Sequence, residues 1–96
     1  MADKRLSEVY KILGLTATVE ILKSIEKGKT QYRDFNFASV STVNTRIRQL
    51  LDLNFIEHHI VKEDKRKEWY TLTEKGKKVV KGIKYLDKAV LEQCNP

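Results

Sequence analysis

The hydrophobic pattern of this chain changes from helical to strand-like spacing after residue 54, and this change limits the possible fold more than any other feature. Apolar residues recur at helical spacing up to that point, most clearly over residues 41–53. Two stretches rich in β-branched and aromatic residues follow, 55–61 and 69–72, and such composition is typical of strands. We therefore predict helices followed by one pair of strands.

The charged segment 62–67 separates the two strand-like stretches and predicts the tip of a hairpin. Helical spacing returns after it and predicts a long helix over residues 74–93. Short helices are expected over 6–13 and from 18 to the next glycine, with a single short one at 31–35. The residues expected to cap or end the helices are Gly14 in a left-handed conformation, Thr16 or Thr18, Gly28, Ser39 or Ser41, Asn54 and Thr73.

The charge of the chain favours a partner that carries phosphate. Its 96 residues, which we expect to form one domain over 1–96, hold 19 Lys and Arg against 13 Asp and Glu, for a net charge of +6. Two blocks carry this charge: residues 29–48 have a net charge of +3 and residues 62–84 a net charge of +5, while the rest of the chain is slightly acidic. Concentrated basic charge of this kind is the electrostatic feature expected of a nucleic-acid-binding protein.

Two motifs resemble those of known regulators. Residues 30–56, TQYRDFNFASVSTVNTRIRQLLDLNFI, look like the helix-turn-helix of winged-helix transcription regulators. Residues 69–78, WYTLTEKGKK, resemble the YxLTxKG segment that joins the second wing strand to a C-terminal helix in MarR, PadR and related small regulators of archaea and archaeal viruses. The resemblance implies a mainly α fold with a small β-hairpin wing (α+β), a winged helix-turn-helix. Residues 16–72 then form a DNA-binding core and wing, and 74–93 a C-terminal dimerisation helix.

The helix over residues 41–53 is the predicted recognition helix, which would enter the major groove of duplex DNA. Asn and Gln side chains can pair with adenine in bidentate fashion and Arg with guanine, while neighbouring cations hold phosphates. The predicted DNA-binding residues of this helix are Ser41, Thr42, Asn44, Thr45, Arg46, Arg48 and Gln49. The alternative is a solvated face on a helix with a purely structural role.

The hairpin tip supplies a second group of predicted DNA contacts. Its basic residues are Lys62, Lys65, Arg66 and Lys67. They are placed to reach a flanking minor groove or its phosphates, and Arg66 is preferred for the groove itself because narrow minor grooves attract Arg. Acidic neighbours in the same segment weaken this charge, so the alternative is a merely solvated turn.

The C-terminal helix carries an apolar stripe whose members step by 4, 3 and 4 residues. These are Val79, Ile83, Leu86 and Val90. We predict that the stripe forms a two-fold homodimer interface, and the alternative is an intramolecular contact with residues 6–13. A symmetric dimer would place two recognition helices on a pseudo-palindromic DNA site, with half-sites about one helical turn apart. Cys94 would then form an intersubunit disulfide or remain a free thiol.

Other functions find little support in the sequence. His58 and His59 are adjacent on a predicted strand and therefore point to opposite faces, which disfavours joint binding of a metal ion. Phosphate-binding glycine loops and paired catalytic groups are missing, so we predict no enzyme, no metal and no cofactor. No signal-like or membrane-spanning apolar run is present, so we expect a cytoplasmic protein; no motif identifies a small-molecule effector. Two other functions remain open, a protein-interaction module and a non-specific architectural DNA-binding protein.

Overall fold

A computed structural model describes residues 3–92 of the chain. In this range four α-helices and one two-stranded antiparallel sheet are present, in the predicted order. They are α1 (Lys4–Leu13), α2 (Thr18–Glu26), a short 3-10 helix (Tyr32–Asp34), α3 (Val40–Asp52), β1 (Ile56–Lys62), β2 (Arg66–Leu72) and α4 (Glu74–Glu92). The mainly helical α+β fold with one hairpin is confirmed.

The hydrophobic core lies between the helices and one face of the hairpin. Side chains on α2 and α3, such as Leu22 and Leu50, are completely buried. Ile56 and Tyr70 close the core from the hairpin, and Val80 closes it from α4. Complete burial of a Leu, Ile or Phe side chain stabilises a fold by about 1.5–3 kcal/mol, so this shared core fixes the relative positions of α3, the hairpin and α4.

The connection between α1 and α2 differs from the prediction. Gly14 is right-handed (φ −81°) rather than left-handed, and neither Thr16 nor Thr18 caps α2. Ala17 precedes α2 instead, with a left-handed backbone (φ 76°) and no cap bond from its side chain. The four-residue connection closes as a tight turn, which excludes the extended backbone that a capping side chain needs. The Thr18 hydroxyl is buried and has no hydrogen-bond partner within the described part of the chain.

Other predicted helix ends are confirmed. Ser39 caps α3, since its hydroxyl oxygen accepts a hydrogen bond from the Thr42 amide at 3.2 Å. Gly28 and Asn54 follow α2 and α3 with positive φ angles of 93° and 63°. Helix ends favour such residues because they help to satisfy the free backbone groups there. The sequence therefore predicted the positions of these helix ends.

The hairpin, called the wing below, is longer than predicted. Its strands pair from Ile56 opposite Leu72 to Lys62 opposite Arg66, so the turn holds only residues 63–65. Tyr70 lies on the inner face, where burial raises the pKa of its hydroxyl above the ordinary value. The Tyr70 amide also donates a hydrogen bond to the Thr30 carbonyl at 2.9 Å, which ties β2 to the segment before α3.

Helix α4 begins where the wing meets the core. The Thr73 hydroxyl accepts a hydrogen bond from the Gly76 amide at 2.9 Å, which confirms Thr73 as the cap. A Cβ atom on Gly76 would stand 1.9 Å from the Phe55 carbonyl oxygen, so only glycine permits this close approach. Two ion pairs, Lys23–Asp87 at 2.5 Å and Lys84–Glu26 at 2.9 Å, then join α4 to α2.

Candidate nucleic-acid interface

One side of α3 is exposed along its length because the opposite side is anchored in the core. Val43, Ile47 and Leu50 are buried and face the other elements. Four of the predicted DNA-binding residues are exposed and share the opposite side, which we call the polar face of α3: Ser41, Asn44, Thr45 and Arg48. The structure therefore brings together hydrogen-bonding groups suited to base edges on a rigid helix.

The other three residues predicted on α3 lie on a flank and are half-buried. Arg46 donates from Nε to the Thr16 carbonyl oxygen at 2.9 Å and from Nη1 to Gln49 Oε1 at 3.0 Å. The first bond ties α3 to the connection between α1 and α2, and the second lies within α3. Gln49, expected to point away from the core, thus serves to hold Arg46, and Thr42 Oγ1 accepts a hydrogen bond from the Ser39 hydroxyl at 2.9 Å.

The start of α3 is also held from outside the helix. The Tyr32 hydroxyl donates a hydrogen bond to the Val40 carbonyl oxygen at 3.3 Å. No acidic residue stands in the first turn of α3, so the positive end of the helix dipole is not neutralised there. The sequence does not predict this contact between Tyr32 and Val40, because a hydrogen bond between residues eight apart leaves no periodic signal.

Basic side chains are exposed on the wing as predicted. Lys65 lies in the turn, Lys62 and Arg66 pair across the strands on one face, and Lys67 lies on the other face opposite Val61. Arg66, however, forms an ion pair with Glu68 at 3.2 Å. The carboxylate offsets part of the charge of Arg66. Lys62 and Lys65 are exposed next to Glu63 and Asp64, which lie in the turn.

The adjacent histidines point to opposite faces of the wing, as predicted. His58 stacks on Tyr70 with ring centroids 4.8 Å apart, and its Nε2 lies 2.6 Å from Glu68 Oε1. His59 stacks on Trp69 on the other face, with centroids 5.2 Å apart. Residues 3–92 contain no group of three or more His, Cys, Asp or Glu side chains arranged to hold a metal ion. The histidines thus serve as cross-strand contacts in the wing.

The apolar stripe of α4 is divided between two environments. Val79 and Ile83 are partly buried and pack against the core of the same chain. Leu86 and Val90 are exposed by 63% and 55%. The four residues therefore do not form one uniform free surface, because α4 lies on the core over its first turns and extends past it afterwards. Cys94 lies outside the described residues.

Further large apolar side chains are exposed on α4 and on α1. They are Tyr85 and Leu91 on α4, and Leu6 and Tyr10 on α1. Large exposed apolar residues grouped on helices mark interaction surfaces more often than isolated ones do. Within residues 3–92, no helix combines the length and apolar character that crossing a membrane requires.

The arrangement defines a class of protein. A helical unit ending in an exposed polar helix, followed by a two-stranded wing and a C-terminal helix, is the winged helix-turn-helix architecture of transcription regulators. A family model described as HxlR-like helix-turn-helix matches residues 12–96. The chain belongs to this HxlR-like helix-turn-helix family of transcriptional regulators. Regulators of this class are in general not enzymes.

Solved structures share the fold at low sequence identity. The reduced form of the transcriptional regulator YodB from B. subtilis matches with a TM-score of 0.83 and 20% identity, over 100% of this chain and 98% of that chain. Diamide-treated YodB gives 0.79 and 20% identity, over 100% and 99%. A MarR-family regulator from Porphyromonas gingivalis W83 gives 0.71 and 20% identity, over 96% of each chain. Comparison with curated proteins gives no match.

Proposed function

We propose that this protein is a sequence-specific double-stranded-DNA-binding transcription regulator that acts as a homodimer, as a repressor, in the cytoplasm. The observation that carries the proposal is the polar face of α3. Its side chains are exposed and uncharged or cationic, while the helix beneath them is fixed by the core and by Arg46. A rigid helix with such a face matches the dimensions and hydrogen-bonding pattern of the major groove.

The contacts divide by residue type. Asn44 is suited to adenine and Arg48 to guanine, and Ser41 lies close to the positive end of the helix, where it can meet either a base or a phosphate. Thr45 donates its hydroxyl hydrogen to the Ser41 carbonyl at 3.0 Å, so it offers DNA an acceptor and a methyl group. We assign Arg46 and Gln49 to positioning α3, because their polar groups are already bonded within the protein.

The wing would add affinity rather than sequence preference. Lys62, Lys65 and Lys67 are exposed and suited to phosphates, whose contacts are independent of sequence. Arg66 would reach the minor groove only by exchanging its ion pair with Glu68 for contacts to DNA. This exchange lowers the net gain expected from Arg66.

Homodimerisation is supported by the exposed apolar residues of α1 and α4. Covering Leu86, Val90 and their neighbours with a second copy would remove this surface from water, whereas Val79 and Ile83 would contribute by supporting the helix from the core. A two-fold dimer would present two copies of α3 to a pseudo-palindromic site.

The test is equilibrium binding of the full chain to duplexes selected from a random pool, over a salt series, with shuffled duplexes as competitors. The proposal predicts tight binding to the selected duplex that falls steeply with salt, and a loss of affinity in Arg48→Ala that is absent in Lys81→Ala, an exposed cation on α4. Equal binding to all duplexes would indicate an architectural protein. Absence of binding at low salt would indicate a protein-interaction module.

A further inference from the structure

Val40 is an apolar side chain in an unusual place. It is the first residue of α3 and is 67% exposed, more than any other valine in the described part of the chain. Other valines show the ordinary arrangement, since Val43 of α3 is buried and Val9 of α1 packs against the core. Exposure of a β-branched residue at the start of a helix contributes nothing to packing and slightly lowers helix propensity.

The position of Val40 is fixed on both sides. The Ser39 hydroxyl caps the helix directly before it, and the Tyr32 hydroxyl donates to its carbonyl oxygen at 3.3 Å. Val40 stands one turn before Asn44 and next to Ser41, two residues of the polar face. The isopropyl group therefore extends the edge of the polar face at the end that enters the groove first in helix-turn-helix proteins.

We propose that Val40 reads a thymine in the operator through its C5-methyl group. This inference rests on the proposed function and adds an apolar contact to the hydrogen-bonding residues already assigned. The thymine methyl is the apolar group that base pairs present in the major groove, and apolar side chains recognise it by contact. Burying both surfaces offers a reason for an exposed valine where a polar residue would otherwise be expected.

The geometry also limits where this thymine lies. Val40 and Asn44 are separated by four residues, about 6 Å along the helix axis, and successive base pairs are about 3.4 Å apart. The thymine read by Val40 is therefore within about two base pairs of the pair that Asn44 contacts. A solvated valine, or one that contacts another protein, would show no such link to a base.

Uracil provides the probe, because replacing thymine with uracil removes only the C5-methyl group. In the selected duplex each thymine is replaced in turn, and affinity is measured for the wild type, for Val40→Ala and for Val61→Ala, a matched change at an exposed valine of the wing. For the wild type and Val61→Ala we expect one position per half-site at which uracil weakens binding about three- to fivefold, the equivalent of one buried methyl group. In Val40→Ala this uracil effect should disappear.

Two results would overturn the inference while leaving the proposed function in place. They are selective binding with no thymine sensitive to uracil, and a sensitive thymine that stays equally sensitive in Val40→Ala. Failure to select any preferred duplex would overturn the proposed function and this inference together. Because Val40 is exposed and Ala favours helix, the variant should fold, and an unchanged circular-dichroism melting curve is the control.

Discussion

Arg46 in α3 is held by a backbone carbonyl and a neighbouring glutamine, whereas Arg66 in the wing is held by a single partly exposed carboxylate. The two regions carry similar basic and polar residues but restrain them differently. Helix α3 shares its apolar side with the core, while the outer part of the wing projects beyond it. This difference supports the proposal that α3, which is held firmly in place, reads the sequence, and that the wing supplies general phosphate affinity.

The largest effect should come from removing the anchor of α3. Leu50 is completely buried, so Leu50→Ala should lower the free energy of unfolding by about 2–5 kcal/mol through lost burial and a cavity. Val61→Ala in the wing removes a partly exposed side chain and should cost less than about 0.5 kcal/mol. Urea denaturation measures both, and similar losses in the two variants would contradict the contrast between the regions.

Arg48→Ala should produce the largest loss of DNA binding among the exposed cations. We expect about 1–3 kcal/mol at the selected site, because the side chain is exposed on the polar face and is suited to guanine. Lys65→Ala in the wing should weaken binding less than Arg48→Ala does. It should also lower the slope of log affinity against log salt concentration by about 1, the amount expected for one lost phosphate contact. An affinity unchanged by Arg48→Ala would remove this residue from the interface.

Arg46 tests positioning as distinct from contact. Arg46→Ala removes the hydrogen bond to Thr16 that joins α3 to the connection before α2, and also the bond to Gln49 within α3, at an expected cost of about 1 kcal/mol in unfolding free energy. Affinity for the selected duplex should fall more than affinity for shuffled duplexes, because a misplaced helix loses sequence preference first. Retention of full stability together with loss of binding would instead identify Arg46 as a direct DNA contact.

The smallest effect concerns the ion pair of the wing. Glu68→Gln should free Arg66 from its carboxylate partner and increase DNA affinity at low salt by about two- to fivefold, an effect that higher salt removes. Glu20→Gln, at an exposed position on α2, controls for the general change in net charge. Equal gains in the two variants would show that the pair with Arg66 has no specific role.

The sequence predicted features that repeat locally. The spacing of Val43, Ile47 and Leu50 located α3, and the segment YTLTEKG located the junction where Thr73 caps α4 and Gly76 meets Phe55. Such signals depend on residues a few positions apart. They were sufficient to predict the fold class and four of the seven α3 residues proposed to face DNA.

What the sequence missed depends on contacts between distant residues. Ala17 is left-handed because of a tight turn, and Arg46 is half-buried because the Thr16 carbonyl lies 30 residues away in sequence but within hydrogen-bond distance. Val79 and Leu86 are both apolar members of the same stripe on α4, yet Val79 packs on the core and Leu86 is exposed. Periodicity identifies an apolar stripe but does not show where its intramolecular partner ends.

The most direct test of the central claim is the base preference at every position of the selected site, measured for the wild type, Arg48→Ala and Lys65→Ala. If α3 reads sequence and the wing binds phosphate, Arg48→Ala should lose its preference at one base pair in each half-site. Lys65→Ala should keep all preferences and bind every duplex more weakly by a similar factor. Preferences that survive Arg48→Ala but change in Lys65→Ala would contradict the account.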